Sequence, residues 1–226
     1  MNGLTVVIPT LNAAGHLSRC VSHLEGGVRV VVADGGSSDS TRNLAEAHGA
    51  TVVDCERGRG TQLATGAKYA LGDGQATWLL FLHADTALEP GWRLAADAFM
   101  AEPANRYRVA VFRFGLDDNG PEARRLAAMV AWRVRWLALP YGDQGLLIHR
   151  DFYHVLGGYK PMPLMEDVDI IRRIGRRRLT VLGPAAITSA ERWRREGWLW
   201  RSTRNVACLA LYFAGFSANR IKKFYG

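Results

Sequence analysis

The apolar positions of this chain come in short runs closed by small or acidic residues. Leu4–Ile8, Val28–Ala33, Thr51–Val53 and Trp78–Leu82 are the first four. The run from Trp78 to Leu82 is unbroken, too short for a stable isolated helix, and suited to a strand buried on both faces. Helical patterns lie between the runs, at about Ala13–Leu24, at Arg42–His48, and from Arg57 to about Leu71. Asp39 or Ser40 suits the cap of the second helix and Gly49 its stop. Strand and helix alternating at this spacing predict a parallel sheet in an α/β fold.

Downstream the elements are less regular. Pro90 to about Met100 reads as a helix and Tyr107–Phe114 as an alternating strand. Pro121–Leu139 is a long helical pattern with Arg124, Arg125, Arg133 and Arg135 on its polar side, broken by Pro140-Tyr141-Gly142-Asp143-Gln144-Gly145. Leu146–Ile148 is a short strand, and a glycine- and proline-bearing loop leads to a helix from Glu166 to Gly175. Leu179–Leu182 is a late strand and Ala186–Thr188 a candidate for another. From Arg192 arginines and tryptophans mix, before an apolar stretch, Val206–Phe216, and a basic end with Arg220, Lys222 and Lys223. That stretch is too short to span a bilayer; it packs as core or lies in a lipid interface.

A chain of 226 residues suits one large domain or a domain with a small appendage. Apolar residues at 48% and charged ones at 22% describe an ordered core rather than a disordered chain. The three cysteines, Cys20, Cys55 and Cys208, are widely spaced, which argues against a disulfide framework or zinc site and for a reducing cytosol. Met1-Asn2-Gly3-Leu4 runs straight into the first strand pattern, so no signal peptide is expected. Net charge is +8 and uneven: residues 172–226 hold 13 Lys and Arg against 2 acids. That balance suits an anionic partner (a lipid surface, a phosphorylated substrate, nucleic acid) or simply solvated helix faces. No recognised nucleic-acid motif accompanies it, so no nucleic-acid partner is expected.

The chemistry gathers at strand ends. Asn12, Asp34, Asp39 and Asp85 each follow a predicted strand, where open α/β sheets bind their ligands. Such groups suit the ribose and base of a nucleotide. Asp85 is a candidate metal ligand; alternatively Asp85 and Thr86 start a turn before Pro90. Arg57-Gly58-Arg59-Gly60 puts two arginines at a helix N-terminus, which suits a phosphate. The third glycine of a dinucleotide fingerprint is missing, with Leu63 in its place. Glu166, Asp167 and Asp169 crowd one helix start; the helix dipole favours acids there, but three exceed what one cap needs. His149, at a strand end, is either a metal or diphosphate contact or a structural residue.

Six motifs in this order resemble family 2 glycosyltransferases of the GT-A fold, in particular the short bacterial single-domain group. They are Ile8-Pro9-Thr10-Leu11-Asn12, Val32-Ala33-Asp34-Gly35-Gly36-Ser37-Ser38-Asp39, Leu82-His83-Ala84-Asp85-Thr86, Gly157-Gly158-Tyr159, Met165-Glu166-Asp167-Val168-Asp169 and Arg192-Trp193. The resemblance implies a mostly parallel central sheet flanked by helices. It divides the chain into a catalytic domain, 1–190, with a nucleotide-sugar half to about 115 and an acceptor half from 116, and a basic amphipathic helical tail, 191–226. It implies an inverting transfer from a UDP- or GDP-linked sugar to an acceptor alcohol, a lipid-linked one included.

Under that resemblance Pro9, Thr10, Asn12, Asp34, Arg59 and Asp85 hold the donor. Asp85 matches the final acid of an Asp-x-Asp motif for Mg²⁺ or Mn²⁺, and His83 stands where the first acid belongs. Asp167 matches the general base, with Glu166 and Asp169 as alternatives. Glu166, Asp169, Gly158, Arg192 and Trp193 are expected near the acceptor or behind the base. His83 and His149 remain further candidate ligands. The implied place is the cytoplasm, with peripheral contact at the inner membrane face through the tail. Two rival readings stand beside it: a sugar-phosphate nucleotidyltransferase, against which Pro9-Thr10-Leu11-Asn12 replaces the expected glycine-rich loop, and a non-catalytic module that binds anions or membrane surfaces.

Overall fold

The computed structural model describes residues 3–25 and 27–225, which form eight strands and ten α-helices. The strands are β1 (Leu4–Thr10), β2 (Arg29–Asp34), β3 (Thr51–Asp54), β4 (Trp78–Phe81), β5 (Thr86–Leu88), β6 (Val109–Leu116), β7 (Leu146–His149) and β8 (Leu179–Thr188). The helices are α1 (Ala14–Ser22), α2 (Thr41–Ala47), α3 (Arg59–Gly72), α4 (Trp92–Ala101), α5 (Pro121–Leu137), α6 (Arg150–Val155), α7 (Glu166–Ile174), α8 (Glu191–Glu196), α9 (Trp198–Phe213) and α10 (Ala218–Tyr225).

All eight strands join one sheet in the order β3-β2-β1-β4-β7-β6-β8-β5. The pairs β3/β2, β2/β1, β1/β4 and β6/β8 are parallel. β7 runs against both its neighbours, and β5 runs against β8. Six strands therefore point one way and two the other. The sequence pattern sees β5 only as a turn and splits β8 in two; a register shift after Val111 lets β8 continue past the irregularity as one strand.

Successive residues of a strand face opposite sides of a sheet, and the core follows that alternation. Val6, Ile8, Val32 and Leu80 pack with Leu17, Ala45, Trp92 and Phe99 on one face, under α1, α2 and α4. Val7, Val31, Leu79 and Phe81 pack with Leu63, Phe152, Ile170 and Ile174 on the other, under α3, α6 and α7. Helix α3 lies close to the sheet because Gly66 faces it: a Cβ there would sit 2.5 Å from Val7 Cγ1. Leu126, Val130 and Val134 of α5 form a third cluster that reaches Trp193 and Trp198.

The C-terminal apolar stretch is mostly not core. Cys208 and Ile221 are buried, yet Val206, Phe213 and Phe216 are about half exposed. Among the described residues no helix is long and apolar enough to cross a membrane.

Candidate active site

The C-terminal ends of β1, β4, β6 and β8 and the N-terminal ends of β5 and β7 share one rim of the sheet, as the register requires. Two adjoining cavities open there. The first is lined by Pro9, Thr10, Asn12, Arg57, Gly58 and Lys222 among others. The second is lined by Tyr141, Asp143, Glu166, Asp167, Trp193 and Arg201 among others. Arg59, His83, Asp85 and Arg192 line both. Asp85 and Asp167, which lie 82 positions apart, thus face one space.

The His83–Asp85 corner is the tight link from β4 to β5. Thr86 N–H donates to the His83 carbonyl at 3.1 Å, and Ser189 N–H donates to the Asp85 carbonyl at 3.0 Å. The Asp85 carboxylate itself receives only a long bond, 3.5 Å, from its neighbour Thr86 Oγ1 among the described residues. Its oxygens remain available to a ligand. Burial, and then the positive charge of Arg59, push the His83 imidazole down to about 4, so it is neutral at pH 7. Neutral imidazole is the form that binds metals.

Helix α7 supplies the opposing wall. Its N-cap, Met165, adopts φ +67°, a left-handed conformation that costs a non-glycine residue of order 1 kcal/mol. Gly142 N–H donates to Asp167 Oδ2 at 2.9 Å, which fixes the carboxylate while its side chain lines the cavity. Glu166 is 1% exposed, 3.5 Å from Arg59, and burial raises it to about 7. Asp169 turns away: Lys160 Nζ at 2.9 Å and Arg173 Nε at 2.8 Å hold it in a network behind the wall. Gly158 also stands behind, at φ +65°, where a Cβ would strike the Tyr153 ring.

Of the other expected positions, Asp34 and Asn12 bond within the protein and His149 is corrected. Asp34 is fully buried and takes bonds from Thr10 Oγ1, Gly36 N–H, Ser37 N–H and Ser37 Oγ. Burial acts to raise its pKa, but the bonds from Ser37, Thr10 and Gly36 prevail and hold it below the usual value. It organises the loop after β2. Asn12 does related work, since its Oδ1 accepts Ser38 N–H at 2.8 Å, though it also lines the first cavity. His149 pairs with Trp78, the residue that begins β4, and therefore sits at the opposite rim. There its Nδ1 caps α6 by accepting Asp151 N–H at 3.1 Å, and its ring packs edge-on against Trp78. It is not available to a metal at the Asp85 corner.

The sequence reading passes over Asp143, Tyr141, Arg201, Asn205 and Tyr225, all on the second cavity. The last three belong to the tail, which folds back over the site instead of standing apart. Among the described residues no three His, Cys, Asp or Glu side chains converge as a ready-made metal cage.

A sequence profile described as Glycosyl transferase family 2 matches residues 5–162. A search of the curated proteins finds no match. Solved structures share the fold. The 1–349 fragment of S. aureus TarS superposes with a TM-score of 0.60 at 14% identity, covering 98% of this chain and 69% of that one. Against a longer TarS chain the coverage of the relative is 42%. M. tuberculosis glucosyl-3-phosphoglycerate synthase, in complex with Mn²⁺, UDP and glucosyl-3-phosphoglycerate, superposes at 0.57 with 18% identity, covering 82% and 70%. A TarS structure in complex with UDP-GlcNAc superposes at 0.59 with 14% identity, covering 82% and 58%. The mixed sheet between helix layers is the GT-A fold, and on the match over most of its length the chain belongs to glycosyl transferase family 2.

Proposed function

We propose that this protein is an inverting, metal-assisted glycosyltransferase in which Asp167 is the general base. The observation that carries the reading is that Asp85 and Asp167 line one cavity. That cavity adjoins a second one walled by Pro9, Thr10, Asn12 and Arg59, which the nucleoside diphosphate would occupy. Asp167 takes the proton of an acceptor hydroxyl, and the oxygen attacks the anomeric carbon from the face opposite the diphosphate. The new C–O bond forms as the bond to the diphosphate breaks, so the configuration inverts. One positioned carboxylate typically contributes about 100- to 10,000-fold.

Asp85, with its carboxylate free of a basic partner among the described residues, and the neutral His83 are the residues that would hold Mg²⁺ or Mn²⁺. A divalent ion there would supply charge neutralisation to the departing diphosphate. Arg59 and Arg192, on both cavities, add positive charge on the diphosphate side. The relatives were solved with UDP, UDP-GlcNAc and Mn²⁺, which favours a UDP donor over a GDP one. The family match supports a glycosyltransferase over a nucleotidyltransferase or a purely binding module.

A panel of UDP- and GDP-sugars, assayed for nucleoside diphosphate with Mn²⁺ and with EDTA, tests the reading. Metal-dependent release from one donor is expected; pyrophosphate from nucleoside triphosphate and sugar phosphate would overturn it.

The tail also supports peripheral contact with an anionic membrane. Leu199 is 84% exposed and Trp200 65%, and Phe213, Phe216 and Phe224 are also exposed, near Arg195, Arg220 and Lys223 in the chain. Exposed aromatics beside basic residues suit an interface of apolar chains and phosphate headgroups. Such contact would bring a cytoplasmic enzyme to a lipid-linked acceptor. Co-sedimentation with anionic but not zwitterionic vesicles is expected, and its loss in W200E checks the face.

A further inference from the structure

The turn Gly142–Gln144, between α5 and β7, touches both halves of the site. A Cβ on Gly142 would lie 2.6 Å from His83 Nε2, so its backbone rests against the imidazole. The same residue's N–H holds Asp167. In the proposed transferase the diphosphate sits at the His83–Asp85 corner and the base is Asp167. The sugar in transfer must span from one to the other, and it therefore crosses this turn. Asp143 is the next residue along, and it lines the same cavity.

Among the described residues, Asp143 Oδ1 takes no part in holding the turn. The turn is held by other groups: Gln144 N–H donates to the Tyr141 carbonyl, Gln144 Nε2 to the Phe112 carbonyl, and Thr188 Oγ1 to the Asp143 carbonyl. Asp143 Oδ1 is buried and has no hydrogen-bond partner among the described residues. Arg133 gives it no hydrogen bond: its Nε donates to the Leu139 carbonyl at 2.8 Å, its guanidinium lies 3.5 Å over the Tyr141 ring, and its buried Nη2 is without a partner among the described residues. An acceptor oxygen buried without a donor costs free energy that a ligand hydroxyl recovers. A carboxylate accepts and cannot donate, and its two oxygens match two hydroxyls on adjacent carbons of a sugar ring.

We propose that Asp143 is the residue that reads the transferred sugar, accepting hydrogen bonds from neighbouring hydroxyls of the donor's pyranose and so deciding which nucleotide-sugar is used. The inference rests on the transferase reading, and the experiment separates their failures.

Wild type and D143N are assayed for release of nucleoside diphosphate by hydrolysis of UDP-glucose, UDP-galactose, UDP-N-acetylglucosamine and GDP-mannose, without acceptor. Affinity for UDP alone is measured in parallel by calorimetry. The preferred donor should lose about 10- to 100-fold in kcat/KM in D143N, mostly through KM. Preference over its epimer should shrink, and UDP affinity should stay within about twofold. A variant that keeps the wild-type KM and donor preference, or one whose UDP affinity falls as far as its KM rises, overturns the assignment of Asp143 alone. If wild type releases nothing from any donor, the transferase reading itself falls. D143E, which keeps the charge but moves it by one methylene, should change the order of preference rather than abolish turnover.

Discussion

β4 and β7 lie side by side in the sheet and run in opposite directions, so the segments beyond their C-terminal ends reach opposite rims. Past the end of β4 the chain turns through His83 and Asp85 into the site. β7 instead ends at His149, which the antiparallel register places beside Trp78 on the far rim. The residues before β7 are the ones that reach the site: Gly142 and Asp143. A polar residue at a strand's C-terminal end is therefore a guide to function only where the strand runs with the parallel set.

Substitutions at the two rims separate them. The largest effect is expected at the base. D167N should lower kcat by about 100- to 10,000-fold while UDP still binds, read by steady-state release of nucleoside diphosphate. Next is G142A, whose methyl group would press on His83. Misplacement of a site by about 1 Å costs up to about 100-fold, and a fall in kcat/KM with little change in melting temperature is expected.

D143N should also show in stability. Burial first, and then the negative charges of Asp167 and Asp85, push Asp143 up to about 6. In the unfolded chain it ionises near the ordinary value. Above pH 6 the folded state carries a disfavoured charge, and that penalty fades as pH falls toward 4. D143N should therefore raise the melting temperature most at pH 8 and progressively less below pH 6. The smallest catalytic effect belongs to H149A: activity near wild type, with about 1 kcal/mol lost from the α6 cap, read by urea unfolding.

The parallel half of the fold is legible in the sequence because each element there carries its own signal. β1, β2 and β4 are apolar on both faces, and the helices between them begin and end within a few residues of where the pattern puts them. β5 is not legible, because three residues carry no periodicity and its pairing with β8 is made 102 positions away. Asp34 reads as a ligand-facing acid from its position, yet it is also bonded by two backbone N–H groups and by the Thr10 and Ser37 hydroxyls, a set that no side-chain pattern reveals. Asp143 sits in a stretch that reads only as a helix break. Its role depends on β7 running backwards, a fact of tertiary pairing. The tail reads as basic and amphipathic, but that Arg201 and Tyr225 come to the cavity depends on how α9 and α10 fold back.

In the proposed mechanism labour is divided between two corners of one cavity: Asp85 for the metal-bound diphosphate, Asp167 for the proton. Calorimetric titration of UDP into wild type, D85N and D167N, each with and without Mn²⁺, tests that division most directly. The predicted result is a Mn²⁺-dependent gain in UDP affinity that D167N keeps and D85N loses. An equal gain in D85N, or a loss of the gain in D167N, would contradict it.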